Sequence, residues 1–69
     1  MRKEFTYLIN INTASLEQLK TLSGIGDVIA GNIIEYRESN GGFKSLEEIK
    51  EVNRIGDKVY NDIKEKIGI

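Results

Sequence analysis

A shift of 30 residues lays this chain onto itself. Ser15 falls on Ser45, Leu16 on Leu46, Glu17 on Glu47 and Lys20 on Lys50, then Ile25-Gly26-Asp27 on Ile55-Gly56-Asp57, and Ile33 and Glu35 on Ile63 and Glu65. Leu19 with Ile49 and Leu22 with Val52 add similar pairs in the same register. A duplicated unit of this size cannot bury its apolar face alone, so the two copies must pack on each other.

Each unit reads as helix, tight turn, helix. Ser15 with Gln18, and Ser45 with Glu48, match the capping box, in which a hydroxyl and the residue three further on satisfy free donors at a helix start. Leu16, Leu19 and Leu22, and likewise Leu46, Ile49 and Val52, then share one face at helical spacing, which predicts first helices of about two turns each. Gly24-Ile25-Gly26 and Arg54-Ile55-Gly56 interrupt that spacing as turns, with Asp27 and Asp57 opening the second helices. Ile29, Ile33 and Tyr36 supply the inner face of one second helix, and Val59, Ile63 and Ile67 that of the other. Gly41 is the expected C-cap and Phe43 the apolar anchor of the connector. Leu8-Ile9-Asn10-Ile11-Asn12 predicts an extended lead-in with Ile9 and Ile11 facing the core.

The expected fold class is all-α, with four main helices in pseudo-twofold arrangement. Residues 1–7 are expected to be a flexible N-terminus, and 8–69 a single domain with motifs at 13–39 and 43–69.

The chain has no cysteine and no histidine, which removes disulfides, thiol nucleophiles, zinc sites built on those residues and imidazole acid/base chemistry. Glu17, Glu47, Glu48 and Glu51 are interleaved with Gln18, Lys20 and Lys50, and read as a solvated face. No catalytic constellation, metal site or cofactor is expected, and no stretch of the sequence has the roughly 18 apolar residues of a membrane span. Ten Lys or Arg against eleven Asp or Glu leave a formal charge of -1, so any grip on a polyanion must come from geometry more than from bulk charge.

The turns supply such a geometry. A turn that leaves backbone amides uncovered and runs into a helix start is a ready anion site. The expected contact residues are Gly24, Ile25, Gly26, Val28 and Ile29 in the first unit, and Arg54, Ile55, Gly56, Lys58 and Val59 in the second. The amides of Gly24, Gly26, Val28, Ile29, Arg54, Gly56, Lys58 and Val59 are the donors, while the isoleucine side chains of the turns are expected in the core. Arg54 and Lys58 add charge at the second turn; Lys20, Lys44, Lys50, Arg37, Lys64 and Lys66 read as surface charge. Two such sites would hold phosphates on the two strands of a duplex.

Ile9-Asn10-Ile11-Asn12-Thr13-Ala14-Ser15, Leu22-Ser23-Gly24-Ile25-Gly26, Ala30, Ile33-Ile34-Glu35-Tyr36-Arg37-Glu38, Asn40-Gly41-Gly42-Phe43-Lys44-Ser45 and Ile55-Gly56-Asp57-Lys58 together resemble the tandem helix-hairpin-helix domain of the ComEA family, the DNA receptors of natural competence. The resemblance runs from about Leu8 to Ile67. It implies non-sequence-specific binding of double-stranded DNA by hairpin amides. In other helix-hairpin-helix proteins hairpin carbonyls also hold a monovalent cation, which here would be those of Lys20, Leu22 and Ile25. Two departures stand out: Arg54 replaces the first glycine of the second hairpin, and Ile29 stands where the family often has a lysine.

Family receptors carry an N-terminal membrane anchor. The expectation is either a trimmed, extracellular or periplasmic binding domain or a free-standing cytoplasmic relative, monomeric and without membrane contact of its own. A protein-interaction or structural domain without DNA binding is the other reading of the same residues.

Overall fold

The computed structural model describes residues 8–69; the flexible terminus expected for 1–7 lies outside them. The chain is mainly helical. In order it forms strand β1 (Ile9–Asn10), helix α1 (Leu16–Leu19), helix α2 (Asp27–Asn40), a 3₁₀ helix (Leu46–Glu51), helix α3 (Asp57–Ile63), a second 3₁₀ helix (Lys64–Lys66) and strand β2 (Ile67–Gly68). β1 lies in the extended lead-in expected at 8–12 and pairs in parallel with β2, Ile9 beside Ile67 and Asn10 beside Gly68, so a small sheet joins two segments of a chain whose expected class was all-α.

The first helix of unit one is only one turn long, and its sequence shows why. Ser15 forms the full capping box with Gln18: Gln18 N–H donates to Ser15 Oγ (3.1 Å) and Ser15 N–H to Gln18 Oε1 (2.9 Å). At the other end the Thr21 hydroxyl donates to the Gln18 carbonyl (2.7 Å), taking an acceptor that a longer helix would use. The corresponding helix of unit two is a 3₁₀ helix, and the capping box expected at Ser45 does not form. Glu48 instead reaches past Ser45: its carboxylate accepts from Lys44 N–H (2.7 Å) and from the Tyr36 hydroxyl (2.8 Å). Its own amide bonds the Ser45 carbonyl three residues back (3.2 Å), the tighter 3₁₀ pattern. Glu48 is therefore half-buried and structural, not part of a solvated face.

α2 carries 14 residues and stops at Gly41, whose φ of 74° is the left-handed C-cap conformation. Gly42 follows at φ 99°, and a Cβ there would lie 3.2 Å from Asn12 Oδ1. That close approach lets the Asn12 side chain take both backbone groups of Phe43, accepting from its N–H (2.6 Å) and donating to its carbonyl (3.0 Å). The connector is thereby fastened to the lead-in, and Phe43 stacks on Tyr36 with ring centroids 5.0 Å apart. Arg37, expected as surface charge, donates to the Ile11 carbonyl (2.9 Å).

The core gathers Ile11, Ala14, Leu19, Leu22, Ile25, Ala30, Ile33, Phe43, Ile49, Val52, Ile55, Ile63 and Ile67. Equivalent positions of the two units thus meet in one cluster. Leu16 departs from the helical-face reading and is exposed. Ile67 is buried as expected, but from β2: α3 ends at Ile63, and the inner face expected of it is completed by a strand. Ile9 packs against the cluster at its edge.

Candidate nucleic-acid interface

Each hairpin is made by the same set of bonds. In the first, Leu22 N–H donates to the Leu19 carbonyl and Ile25 N–H to that of Leu22 (both 3.1 Å), before Ala30 N–H opens α2 by donating to the Gly26 carbonyl (2.9 Å). In the second, Val52 to Ile49, Ile55 to Val52 and Tyr60 to Gly56 repeat the pattern, each at 3.0 Å. Gly24 has φ 79° and Arg54 φ 78°; Gly26 has φ -104° and ψ -164°, and Gly56 φ -103° and ψ -164°. These angles therefore repeat at the sequence shift to within a degree.

Ile25 and Ile55 are 4% and 2% exposed, so their side chains hold the hairpins down on the core. As contact residues they offer backbone alone. The amides of Gly24 and Gly26, and of Arg54 and Gly56, have no acceptor among the described residues, and the first-turn amides of each following helix are unpaired by the nature of a helix start. Ile29 and Val59 are half-buried, whereas Val28 and Lys58 are exposed beside the turns. A Cβ built on Gly24, Gly26 or Gly56 meets nothing within 4 Å. The space over both turns is open.

Arg54 is the one non-glycine residue with positive φ among those described. An L-residue there pays roughly 1–2 kcal/mol in steric strain. Asn32 braces it: its side-chain amide donates to the Asn53 carbonyl (3.2 Å), the group immediately before Arg54 N–H in the same planar peptide. Clamping the carbonyl on one side fixes the direction of the Arg54 N–H on the other. Sequence reasoning missed Asn32; the only signal was that unit two has Asp62, which cannot donate, at the matching position.

Charge around the turns is also patterned. Lys20 Nζ lies 2.7 Å from Asp27 Oδ1, and Lys50 Nζ 3.3 Å from Asp57 Oδ1, the same pair in each unit. The Asp27 hydrogen bond, with the Asp27 and Glu17 charges, raises the Lys20 pKa above its ordinary value. Lys50 also lies over the Tyr60 ring, 5.2 Å from its centroid. These lysines were expected as solvated surface charge; the pairing with the aspartates was not foreseen. Lys58 Nζ is 3.3 Å from Asp62 Oδ2, an exposed pair along α3. Of the three carbonyls that a cation would use, that of Leu22 already accepts the Ile25 N–H.

No group of histidine, cysteine or acidic residues among those described can hold a metal ion, and no helix among them is long and apolar enough to cross a membrane.

Comparison with known proteins places these hairpins in context. The family profile described as the helix-hairpin-helix motif matches residues 6–68. ComE operon protein 1 of Bacillus subtilis (strain 168) is 48% identical over 62 residues, covering 90% of this chain and 30% of that protein. Endonuclease/exonuclease/phosphatase family domain-containing protein 1 is 44% identical over 59 residues in Xenopus laevis and 42% over 59 in Homo sapiens, each covering 86% of this chain but only 11% and 10% of those proteins. The chain spans less than a third of the length of each of these relatives, so the match carries nothing of the catalysis named in the latter pair.

Proposed function

This chain belongs to the helix-hairpin-helix family, and from that premise we propose that it holds the sugar-phosphate backbone of double-stranded DNA without reading base sequence. The two motifs, 13–39 and 43–69, pack as a pseudo-twofold pair within one monomeric domain of residues 8–69. Each hairpin meets a phosphate on a different strand. In the first, the amides of Gly24, Gly26, Val28 and Ile29 are the donors, reinforced by the dipole of the 14-residue α2. In the second, the amides of Arg54, Gly56, Lys58 and Val59 act together with the Arg54 guanidinium and the Lys58 ammonium. A monovalent cation shared by the carbonyls of Lys20, Leu22 and Ile25 would bridge the first hairpin to its phosphate. No step in this scheme makes or breaks a bond, and the process it serves is DNA uptake in natural competence or a related one.

The observation that carries this reading is that Gly26 and Gly56, the N-caps of α2 and α3, are glycines that neither backbone conformation nor packing demands. Their φ values are negative, and a Cβ at either meets nothing within 4 Å. What a side chain would obstruct is the approach of something outside the molecule to the amides.

A fluorescence-anisotropy titration with random-sequence duplex, at low and then physiological salt, tests it. The parent chain should bind all sequences alike, with log K falling against log salt at a slope of about -2 to -3, the signature of two or three phosphates. Gly26→Val and Gly56→Val should each weaken binding about tenfold or more, about 1.4 kcal/mol, while the fold loses no more than the roughly 1 kcal/mol of a poorer N-cap. No binding by the parent even at low salt would make the protein-interaction reading the better one.

A further inference from the structure

We infer that Lys20 and Lys50 are positioning residues of the two hairpins, each cancelling the carboxylate that would otherwise repel phosphate from the turn beside it. The inference rests on the DNA-binding reading above and adds what sets the charge at the mouth of each hairpin.

Asp27 and Asp57 are the first residues of α2 and α3, directly after Gly26 and Gly56, and their side chains are 74% and 86% exposed. A carboxylate there stabilises the helix start and at the same time opposes any anion approaching the uncovered amides. Lys20 and Lys50 sit across each turn, at the end of the first helix of each unit, and are the more buried partners at 33% and 37%. Glu17, 4.0 Å away, helps hold Lys20 in place, and the Tyr60 ring helps hold Lys50. Exposed ion pairs of this kind add little to folding stability. Yet the pair recurs in both units, as does Glu17 with Glu47 beside it, while other exposed residues around it diverge: Thr21 against Glu51, Ser23 against Asn53, Val28 against Lys58. The shared feature of the two places is the hairpin mouth. With its pair closed, the first mouth carries no net charge from these two groups and presents its amides alone. The second adds Arg54, which has no ion pair among the described residues.

The test is a double-mutant cycle on the full chain, read as affinity for random-sequence duplex at physiological salt. Lys20→Met should weaken binding about two- to fivefold, the size of one charge near a helix start, and Asp27→Asn in the same chain should return it to within about twofold of the parent. Lys50→Met with Asp57→Asn should behave likewise. Glu38→Gln, the same charge change about 16 Å along α2 by its helical rise, is the control and should leave affinity unchanged, because it lies beyond the Debye length of about 8 Å. If the double variant binds as weakly as Lys20→Met, the lysine contacts DNA directly and the inference falls. It falls also if Lys20→Met binds like the parent, or if Glu38→Gln tightens binding as much as Asp27→Asn does. A parent chain that binds no duplex sinks the function itself, a result distinct from a binding parent with unresponsive variants.

Discussion

The two hairpins share a backbone and differ in how it is held. The first reaches its left-handed turn through Gly24, for which that conformation costs nothing; the second reaches the same φ through Arg54, against its steric preference. Glycine is therefore not what imposes the turn. The isoleucine seated in the core after it does, together with the bond from its amide to the residue three back, and these are common to both units. The second unit can afford an arginine because Asn32 fixes the preceding peptide, a brace for which Asp62, paired with Lys58, offers the first hairpin no equivalent. Strain kept at such a position suits a side chain with a task, and on the DNA-binding reading the Arg54 guanidinium, exposed beside uncovered amides, would have one in phosphate binding.

If the seated isoleucines fix both turns, Ile25→Ala and Ile55→Ala should each cost about 2–5 kcal/mol and cost nearly the same, measured by urea unfolding at low temperature. A much cheaper Ile25→Ala would mean that Gly24 holds its turn without help from the core, and the comparison would fail. The turn residues themselves should then move in opposite directions. Gly24→Ala should destabilise by about 1 kcal/mol, while Arg54→Gly should stabilise by up to about the same amount, since glycine relieves the strain. On the DNA-binding reading the order reverses at residue 54. Arg54→Gly should weaken binding and lower the salt slope by about 0.9, one phosphate's share, despite the firmer fold. Equal stability of Arg54→Gly and parent would show that the brace had already removed the cost.

The repeat was legible because its shared residues are those the core requires, Ile25 with Ile55 and Ile33 with Ile63, and those that leave the turns uncovered, Gly26 with Gly56. The turn amides followed from the glycines, and the C-cap from Gly41. What stayed hidden depended on contacts between distant segments. Ser45 and Glu48 match a capping box locally, but Tyr36, twelve residues earlier, competes for the carboxylate, and no local pattern carries that information. The alternation at 8–12 showed the extended lead-in, but not that residue 9 pairs with residue 67, because the two residues of β2 are too short to show a period. The lysine–aspartate pairs across the turns were visible in the alignment, but only as repeated letters. Their meaning needed the fold of the turn, which brings residues seven apart together.

The residue after each aspartate separates the hairpins again: Val28, 63% exposed, against Lys58. On the DNA-binding reading, Val28→Lys should give the first hairpin the charge of the second and steepen the salt slope by about 0.9, while Lys58→Ala should flatten it by as much, both irrespective of base sequence. Exposed surface changes of this kind leave the melt within about 0.5 kcal/mol of the parent. A response that varied with base sequence would place these residues in a groove rather than on the backbone.

The units differ last in the way the chain enters each of them. Unit one starts on a neutral cap, Ser15 with Gln18, whereas unit two starts on the carboxylate of Glu48. The Lys44 N–H, then the Tyr36 hydroxyl, hold the Glu48 pKa below its ordinary value of 4.5. A group whose pKa is depressed by folding stabilises the native state above its unfolded pKa, and that contribution is lost as pH falls through the folded one. Unit two alone therefore has an acid-sensitive entrance of this type. Ser15→Ala should lower stability by about 0.5–2 kcal/mol at pH 7 and by the same amount at pH 3. Glu48→Gln should lower it at pH 7 and converge on the parent as pH drops below the carboxylate range, because the protonated parent has lost the same acceptor charge. Thermal melts of the parent and both variants across that interval decide it: parallel curves for Glu48→Gln would mean that hydrogen bonding, not charge, closes the second entrance, and the two units would then begin in the same way.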